Sequence, residues 1–144
     1  MSAAESVSVR LERTGTPEVD ALLALAAEPG ASPLDREHAR VFVARGGADG
    51  GALGLVALAP GPDDFAELVR LVVLPAARRQ GVARRLLLAA ESWARVQRIR
   101  TLRFRVDAAD PATAAGARAL GFTEVDSFGA HVGDDSGTCF AKAL

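Results

Sequence analysis

The residues with the clearest capacity for chemistry surround one glycine in the middle of the chain. They form a segment rich in arginine, Arg78-Arg79-Gln80-Gly81-Val82-Ala83-Arg84. A glycine lets the backbone approach a bound group closely, and guanidinium groups bind phosphate through charge-assisted hydrogen bonds. The chemistry that this spacing predicts is the binding of a phosphate or pyrophosphate.

A buried strand and an amphipathic helix must position this segment. Residues 68–74 form an almost continuous branched apolar run that Pro75 stops, which is typical of a strand buried on both faces. After the glycine, apolar residues recur at helical spacing, at Val82, Leu86, Ala89 or Ala90, Trp93 and Val96. The unit is therefore strand, turn and helix, and the amides at a helix N-terminus favour an anion.

Four interpretations of this turn differ in what they predict. The spacing does not fit the P-loop pattern, and the segment lacks the three glycines of a dinucleotide fingerprint. A plain turn with solvated arginines is the structural alternative. The segment Arg78 to Ala83 resembles the signature [QR]-x-x-G-x-[GA] of the GNAT superfamily of N-acetyltransferases. The resemblance implies that residues 78–84 bind the pyrophosphate of acetyl-CoA, and that the preceding strand contacts its pantetheine arm through the backbone of Leu71, Val72 and Val73.

The rest of the sequence predicts a mixed sheet. Strands are expected over residues 7–11, 41–44, 53–58, 65–74, 101–106, 122–128 and 138–144. Helices are expected from Pro17 to the stop at Pro29-Gly30, from Ser32-Pro33 to about Arg40, from Val82, and from Asp110-Pro111 to Gly121.

We therefore predict an α/β (α+β) fold with a mostly antiparallel sheet of about seven strands flanked by about four helices. The strands from 41 to 74 form an antiparallel meander, and the helical crossover makes the fourth and fifth strands parallel. The resemblance implies the GNAT acyl-CoA N-acyltransferase fold, in which these two strands splay apart to admit the cofactor. It also places Asp110 on a position that is often Asn, among the cofactor contacts, and Ala117 on a position that is often Tyr.

Acetyl transfer to an amine requires the amine in its neutral form. For a lysine-like amine at pH 7 this costs roughly 4–5 kcal/mol, so a general base is useful. Our candidate is Glu67, which lies where the resemblance places a catalytic glutamate and which strand alternation places on one face with Val69, Leu71 and Val73. The alternative is a carboxylate that only pairs with Arg70 or another arginine.

The group that protonates the departing thiolate is not evident, because the chain contains no tyrosine. Thr113, Ser127, Cys139 or a water could substitute, but a thiol with a pKa of about 8.5 can also leave without an acid, and we favour that. His38 is expected to be exposed. The arginines around the fifth strand, Arg98, Arg100, Arg103 and Arg105, are expected to be solvated, with contact to an acidic group as the alternative.

Composition limits the remaining functions. With 144 residues, 49% hydrophobic and 24% charged, and a net charge of −1, residues 1–144 are expected to form one domain that binds neither nucleic acid nor membrane. The acidic N-terminus lacks the apolar core of a signal peptide, and one cysteine, Cys139, allows no internal disulfide, so we expect a cytoplasmic protein with a buried thiol. We predict no metal site.

The function predicted is an acetyl-CoA-dependent N-acetyltransferase that acts on a primary amine of a small molecule, an amino acid or a protein. The alternative is a catalytically silent acyl-CoA-binding or regulatory module on the same fold. In such folds the acceptor is chosen at the cleft mouth, here around residues 28–40 and 129–137, which carry no motif that identifies it. The resemblance also allows a homodimer.

Overall fold

A computed structural model describes residues 7–26, 34–47, 49–61, 63–133 and 135–144. The strands are β1 (Ser8–Glu12), β2 (Arg40–Gly46), β3 (Gly51–Pro60), β4 (Phe65–Val73), β5 (Thr101–Asp107), β6 (Thr123–Val125) and β7 (Gly137–Ala143). The α-helices are α1 (Pro17–Ala26), α2 (Val82–Val96) and α3 (Pro111–Ala119). All seven strands form one sheet in the order β1-β2-β3-β4-β5-β7-β6.

The predicted topology is confirmed. Strands β2, β3 and β4 form the antiparallel meander, and β4 pairs with β5 in parallel. The remaining neighbours are antiparallel. The parallel pair arises because α2 carries the chain back along the sheet between its two strands.

The described residues contain three α-helices where about four were predicted. The expected helix start at Ser32-Pro33 lies outside the described residues, and residues 36–38 form a turn. The Asp35 carboxylate accepts a hydrogen bond from the Glu37 amide at 3.0 Å. Such a side-chain bond competes with a helix, and β2 then begins at Arg40.

Strand β6 is also shorter than predicted. It spans Thr123–Val125 rather than residues 122–128. At the edge of the sheet it pairs only with β7, and the chain then turns so that Phe128 packs against Phe65 with ring centroids 6.1 Å apart. The aromatic contact explains why residue 128 leaves the sheet.

Two apolar cores cover the two faces of the sheet. Helix α1 packs on one face through Val19, Leu22 and Leu23, and α2 packs on the other through its buried apolar side chains, among them Val82, Leu86 and Ala90. The predicted stripe of α2 is confirmed except at its end. Trp93 contacts Phe42 edge to face, whereas Val96 is 78% exposed because the helix ends there.

Strands β4 and β5 diverge soon after they begin. Their pairing covers residues 65–67 and 101–103, and beyond these β4 remains bonded to β3 while β5 remains bonded to β7. A bulge lies just past this point. Ala57 faces Arg70 and Leu58 faces Leu68, so Val69 is an extra residue in β4. A bulge bends its strand and increases its twist, which favours the separation.

Because of the bulge, the predicted alternation of side chains along β4 is wrong. Val69 packs in the core on the α1 face, whereas Leu71 and Val73 pack against the core on the α2 face. Glu67, Val69, Leu71 and Val73 therefore do not share one face. The inserted residue changes the parity of every side chain after it.

Candidate active site

A cleft of about 600 Å³ occupies the gap between the separating strands. Leu25 and Ala26 of α1 border it on one face of the sheet, and Ala83 and Thr113 border it on the other. The cleft thus passes through the sheet. Its wall contains these sequence-predicted site residues: Glu67, Leu71, Val72, Val73, Arg78, Ala83 and Asp110.

The N-terminus of α2 forms the turn at one end of the cleft. Gly81 is the N-cap in a left-handed conformation (φ 75°), and an added Cβ would meet nothing within 4 Å. The Arg85 amide donates to the Gly81 carbonyl at 3.0 Å, so the amides of residues 82–84 precede the intrahelical hydrogen bonds. None of the described side chains caps these amides. The turn can therefore bind an anion.

The side chains of the turn have different roles. The Arg78 guanidinium donates to the Val73 carbonyl at 3.2 Å and so fixes the turn to the end of β4. The Gln80 amide donates to the Ala76 carbonyl at 3.2 Å, within the 3-10 turn Pro75–Ala77 that follows β4. Arg79 has a positive φ of 64°. The side chain of Val82 is buried in the core, while Arg84 lines a separate depression between α2 and α3.

Asp110 caps α3 at the border of the cleft, as its position before Pro111 predicts. Its carboxylate accepts hydrogen bonds from the Thr113 amide at 3.0 Å and from the Thr113 hydroxyl. A carboxylate used in this way stabilises the first turn of the helix. Asp110 is therefore a structural part of the cleft wall.

The structure shows the surroundings of residue 117 and of the side chains considered as alternative proton donors to the thiolate. Ala117 is buried and carries no polar group. Thr113 lines the cleft, but its hydroxyl donates to Asp110. Cys139 is buried in β7 opposite Arg105, which confirms the predicted buried thiol, and Ser127 is exposed.

A carboxylate and an imidazole meet where β4 begins to separate from β5. The Glu67 carboxylate lies 2.8 Å from Nε2 of His131, and the two side chains are 16% and 3% exposed. Both residues line the cleft. Glu67 lies at the end of the parallel pairing, where it faces Arg103 of β5. The structure therefore gives the predicted base a histidine partner.

His131 was not identified as a site residue from the sequence. The chain has two histidines, and this one follows Phe128 in a glycine-rich loop, which was the available signal. The other, His38, is 68% exposed and lies 2.7 Å from the Asp35 carboxylate, which raises the pKa of its imidazole. The expectation that His38 is exposed is confirmed.

An aromatic cluster holds the His131 ring. Phe128 packs edge to face against His131 at 5.2 Å and against Phe65 at 6.1 Å. The Arg103 guanidinium lies 4.3 Å from the centroid of the Phe65 ring, in a cation–π contact. Arg105 lines the cleft and donates to the Ser136 hydroxyl at 2.6 Å. Both arginines therefore have structural contacts rather than being only solvated.

The two ends of the cleft could support different chemistry. One end offers amides and positive charge to an anion, and the other offers a carboxylate that could accept a proton. Among the residues that the structure describes, no helix is long and apolar enough to cross a membrane. The same residues contain no group of three or more His, Cys, Asp or Glu side chains placed to hold a metal ion.

Comparison with known proteins identifies relatives of this architecture. The sequence model of the acetyltransferase (GNAT) family matches residues 11–122. A comparison with curated protein sequences finds no significant match. Among solved structures, a GNAT family acetyltransferase from Elizabethkingia anophelis with acetyl-CoA bound has a TM-score of 0.78 at 16% identity, with 97% of this chain and 99% of that chain covered.

Two further solved structures have the same fold. An acetyltransferase from Bacillus subtilis in complex with CoA has a TM-score of 0.76 at 17% identity, with 96% of this chain and 99% of that chain covered. An IAA acetyltransferase from Bacillus cereus has a TM-score of 0.74 at 19% identity and covers 96% of this chain and 100% of its own.

Proposed function

Because this chain belongs to the GNAT acetyltransferase family, we propose that it transfers the acetyl group of acetyl-CoA to a primary amine. The observation that carries the proposal is the cleft between β4 and β5, which joins the helix N-terminus at Gly81 to the carboxylate of Glu67. The acceptor is an amine of a small molecule, an amino acid or a protein. We expect the protein to act in the cytoplasm, and the family resemblance allows a homodimer.

The two strands would bind the CoA thioester through backbone groups. On the cleft side, no strand among the described residues pairs with β4 after residue 67, so the backbone of Leu71, Val72 and Val73 can contact the pantetheine amides. The amides of residues 81–84, together with Arg78 and Arg79, would bind the pyrophosphate. Asp110 supports this end of the cleft by capping α3.

Glu67 would accept a proton from the acceptor amine. The neutral nitrogen then attacks the thioester carbon, a C–N bond forms, and the C–S bond breaks as CoA thiolate departs. The second proton of the nitrogen passes to the departed thiolate or to water, which leaves the neutral amide. With a thiol pKa of about 8.5, the thiolate can leave without an acid on the protein. His131, whose Nε2 lies 2.8 Å from the Glu67 carboxylate, would hold this carboxylate in place.

A thermal melt with and without acetyl-CoA tests the cofactor. Ligand at about 100 times its Kd adds roughly 2.7 kcal/mol, which is several degrees for a domain of this size. Gly81→Glu places a carboxylate before the anion-binding amides and should abolish the shift. Gly50→Glu is the matched control, because Gly50 also has a positive φ and open space but lies in the β2–β3 turn.

The outcomes separate the proposal from a plain turn. A shift in the parent and in Gly50→Glu, but not in Gly81→Glu, supports acetyl-CoA binding. Amines are then screened for release of free thiol. The absence of a shift in the parent at millimolar acetyl-CoA would contradict the proposal.

The absence of tyrosine supports a second candidate function. At residue 117 the resemblance places a tyrosine that would protonate the thiolate, and this chain has a buried alanine there. A module that binds acyl-CoA without turnover is consistent with that difference. It would give the same thermal shift but release no thiol with any amine.

A further inference from the structure

A smaller cavity of about 190 Å³ opens beside the cleft on the face covered by α2 and α3. Its walls are Leu68, Leu71, Ala83, Leu87, Phe104, Thr113, Gly116, Ala117, Leu120 and Phe122. It shares Leu68, Leu71, Ala83, Phe104 and Thr113 with the cleft. The smaller cavity is therefore a side chamber of the cleft.

The chamber has apolar walls. Among the described residues that line it, Thr113 alone has a polar side chain, and its hydroxyl donates to the Asp110 carboxylate. A polar guest would lose hydrogen bonds to water here without replacing them, whereas an aliphatic guest would gain from burial. The chemistry of the walls therefore selects a hydrocarbon group.

Small residues on α3 leave the chamber open. Ala117 is 5% exposed and ends at its methyl group, and one residue earlier an added Cβ on Gly116 would meet nothing within 4 Å. On α2, Ala83 is equally short and borders both the cleft and the chamber. Gly116 is exposed, whereas a longer side chain at the buried residue 117 would extend into the chamber.

We propose that this chamber receives the aliphatic chain of an acyl-CoA longer than acetyl, such as propionyl-CoA or butyryl-CoA. The inference rests on the proposed function, because it requires that a CoA thioester binds in the cleft. It adds that the acyl donor is selected by the chamber walls and that acetyl-CoA leaves much of the chamber unfilled.

Isothermal titration with CoA, acetyl-CoA, propionyl-CoA and butyryl-CoA tests the inference without an acceptor. The affinity of the parent should rise about fourfold with each added methylene. Ala117→Leu should remove this dependence on chain length and leave the affinity for CoA unchanged. Ala117→Ser is the control of similar size and should keep most of the dependence. Ala117→Val fills less of the chamber and replaces Ala117→Leu if that variant does not fold.

The results distinguish the two proposals. If CoA and its thioesters do not bind the parent, the proposed function fails. If CoA binds but affinity stays constant or falls with chain length, the chamber proposal is overturned and the proposed function stands. Equal loss of CoA and butyryl-CoA binding in the filled variants also overturns the chamber proposal, because the space would then hold the CoA arm.

Discussion

The Glu67 carboxylate and the His131 imidazole are 64 positions apart in the sequence and 2.8 Å apart in the structure. Glu67 lies where β4 begins to separate from β5, and His131 ends the 3-10 turn Gly129–His131 between β6 and β7. The pair therefore links β4, on one side of the cleft, to the chain between β6 and β7. A proton acceptor is thereby fixed at the entrance used by the acceptor substrate under the proposed function.

Glu67→Gln should lower kcat by about 10²- to 10⁴-fold, because the amide cannot accept a proton from the amine. The affinity for acetyl-CoA should remain nearly unchanged, since Glu67 lies at the opposite end of the cleft from Gly81. Steady-state thiol release and isothermal titration measure the two quantities. A variant with full turnover would show that Glu67 only pairs with its neighbours.

His131→Ala should lower kcat by up to about 10²-fold, because the carboxylate loses the group that orients it. The variant should also be less stable by about 1.5–3 kcal/mol, the range for a hydrogen bond to a charged group. Urea unfolding and thiol release provide the measurements. His38→Ala removes the exposed histidine and serves as the control, with both quantities expected near those of the parent. Equal effects in the two variants would contradict a specific role for His131.

Much of this fold follows from local patterns. The apolar run before Pro75, the glycine at residue 81 and the helical spacing after it specify β4, the turn and α2 without distant contacts. Asp110 followed by Pro111 likewise specifies the start of α3. These signals are strong because each lies within one element and its flanking residues.

Other features depend on contacts between distant parts of the chain. The bulge at Val69 depends on the register between β3 and β4, and period-2 alternation cannot show an inserted residue. The role of His131 depends on the chain between β6 and β7, which places Phe128 against Phe65 and His131 against Glu67. Neither the sequence near residue 69 nor that near residue 131 carries this information.

Asp110→Ala should destabilise the protein by about 1 kcal/mol through loss of the α3 cap, whereas Asp110→Asn should retain most of the stability. If Asp110 affects cofactor binding only by capping α3, the affinity for acetyl-CoA should fall in Asp110→Ala, which loses stability. It should stay near the value of the parent in Asp110→Asn, which keeps most of the stability. Thermal melts and isothermal titration test this together. A large loss of affinity in a fully stable Asp110→Asn variant would instead indicate direct contact with the cofactor.

Glu18 should contribute an acid-sensitive part of the stability. Its carboxylate accepts a hydrogen bond from the Ala52 amide at 3.2 Å and pairs with Arg45 at 2.6 Å, and these contacts hold its pKa below the ordinary 4.5. The stabilisation is present above pH 4.5 and is lost as the pH falls through the lowered pKa. Because the side chain is 47% exposed, we expect less than about 1 kcal/mol.

The Glu18→Gln variant isolates this contribution. Urea unfolding from pH 7 to pH 3 should show the parent as the more stable protein at neutral pH, with the difference shrinking below pH 4.5. A difference that stays constant over this range would show that the ionisation of Glu18 does not contribute.

Two glycines of the α3 region should respond in opposite ways to alanine. Gly116 lies inside the helix with open space around an added Cβ, so Gly116→Ala should stabilise the protein by about 0.5–1 kcal/mol. Gly121 follows the helix with a φ of 96°, and its Cβ would lie 3.2 Å from Lys142, so Gly121→Ala should cost roughly 1–2 kcal/mol. Thermal melts of the two variants measure the contrast. Destabilisation by both substitutions would contradict the open space beside Gly116.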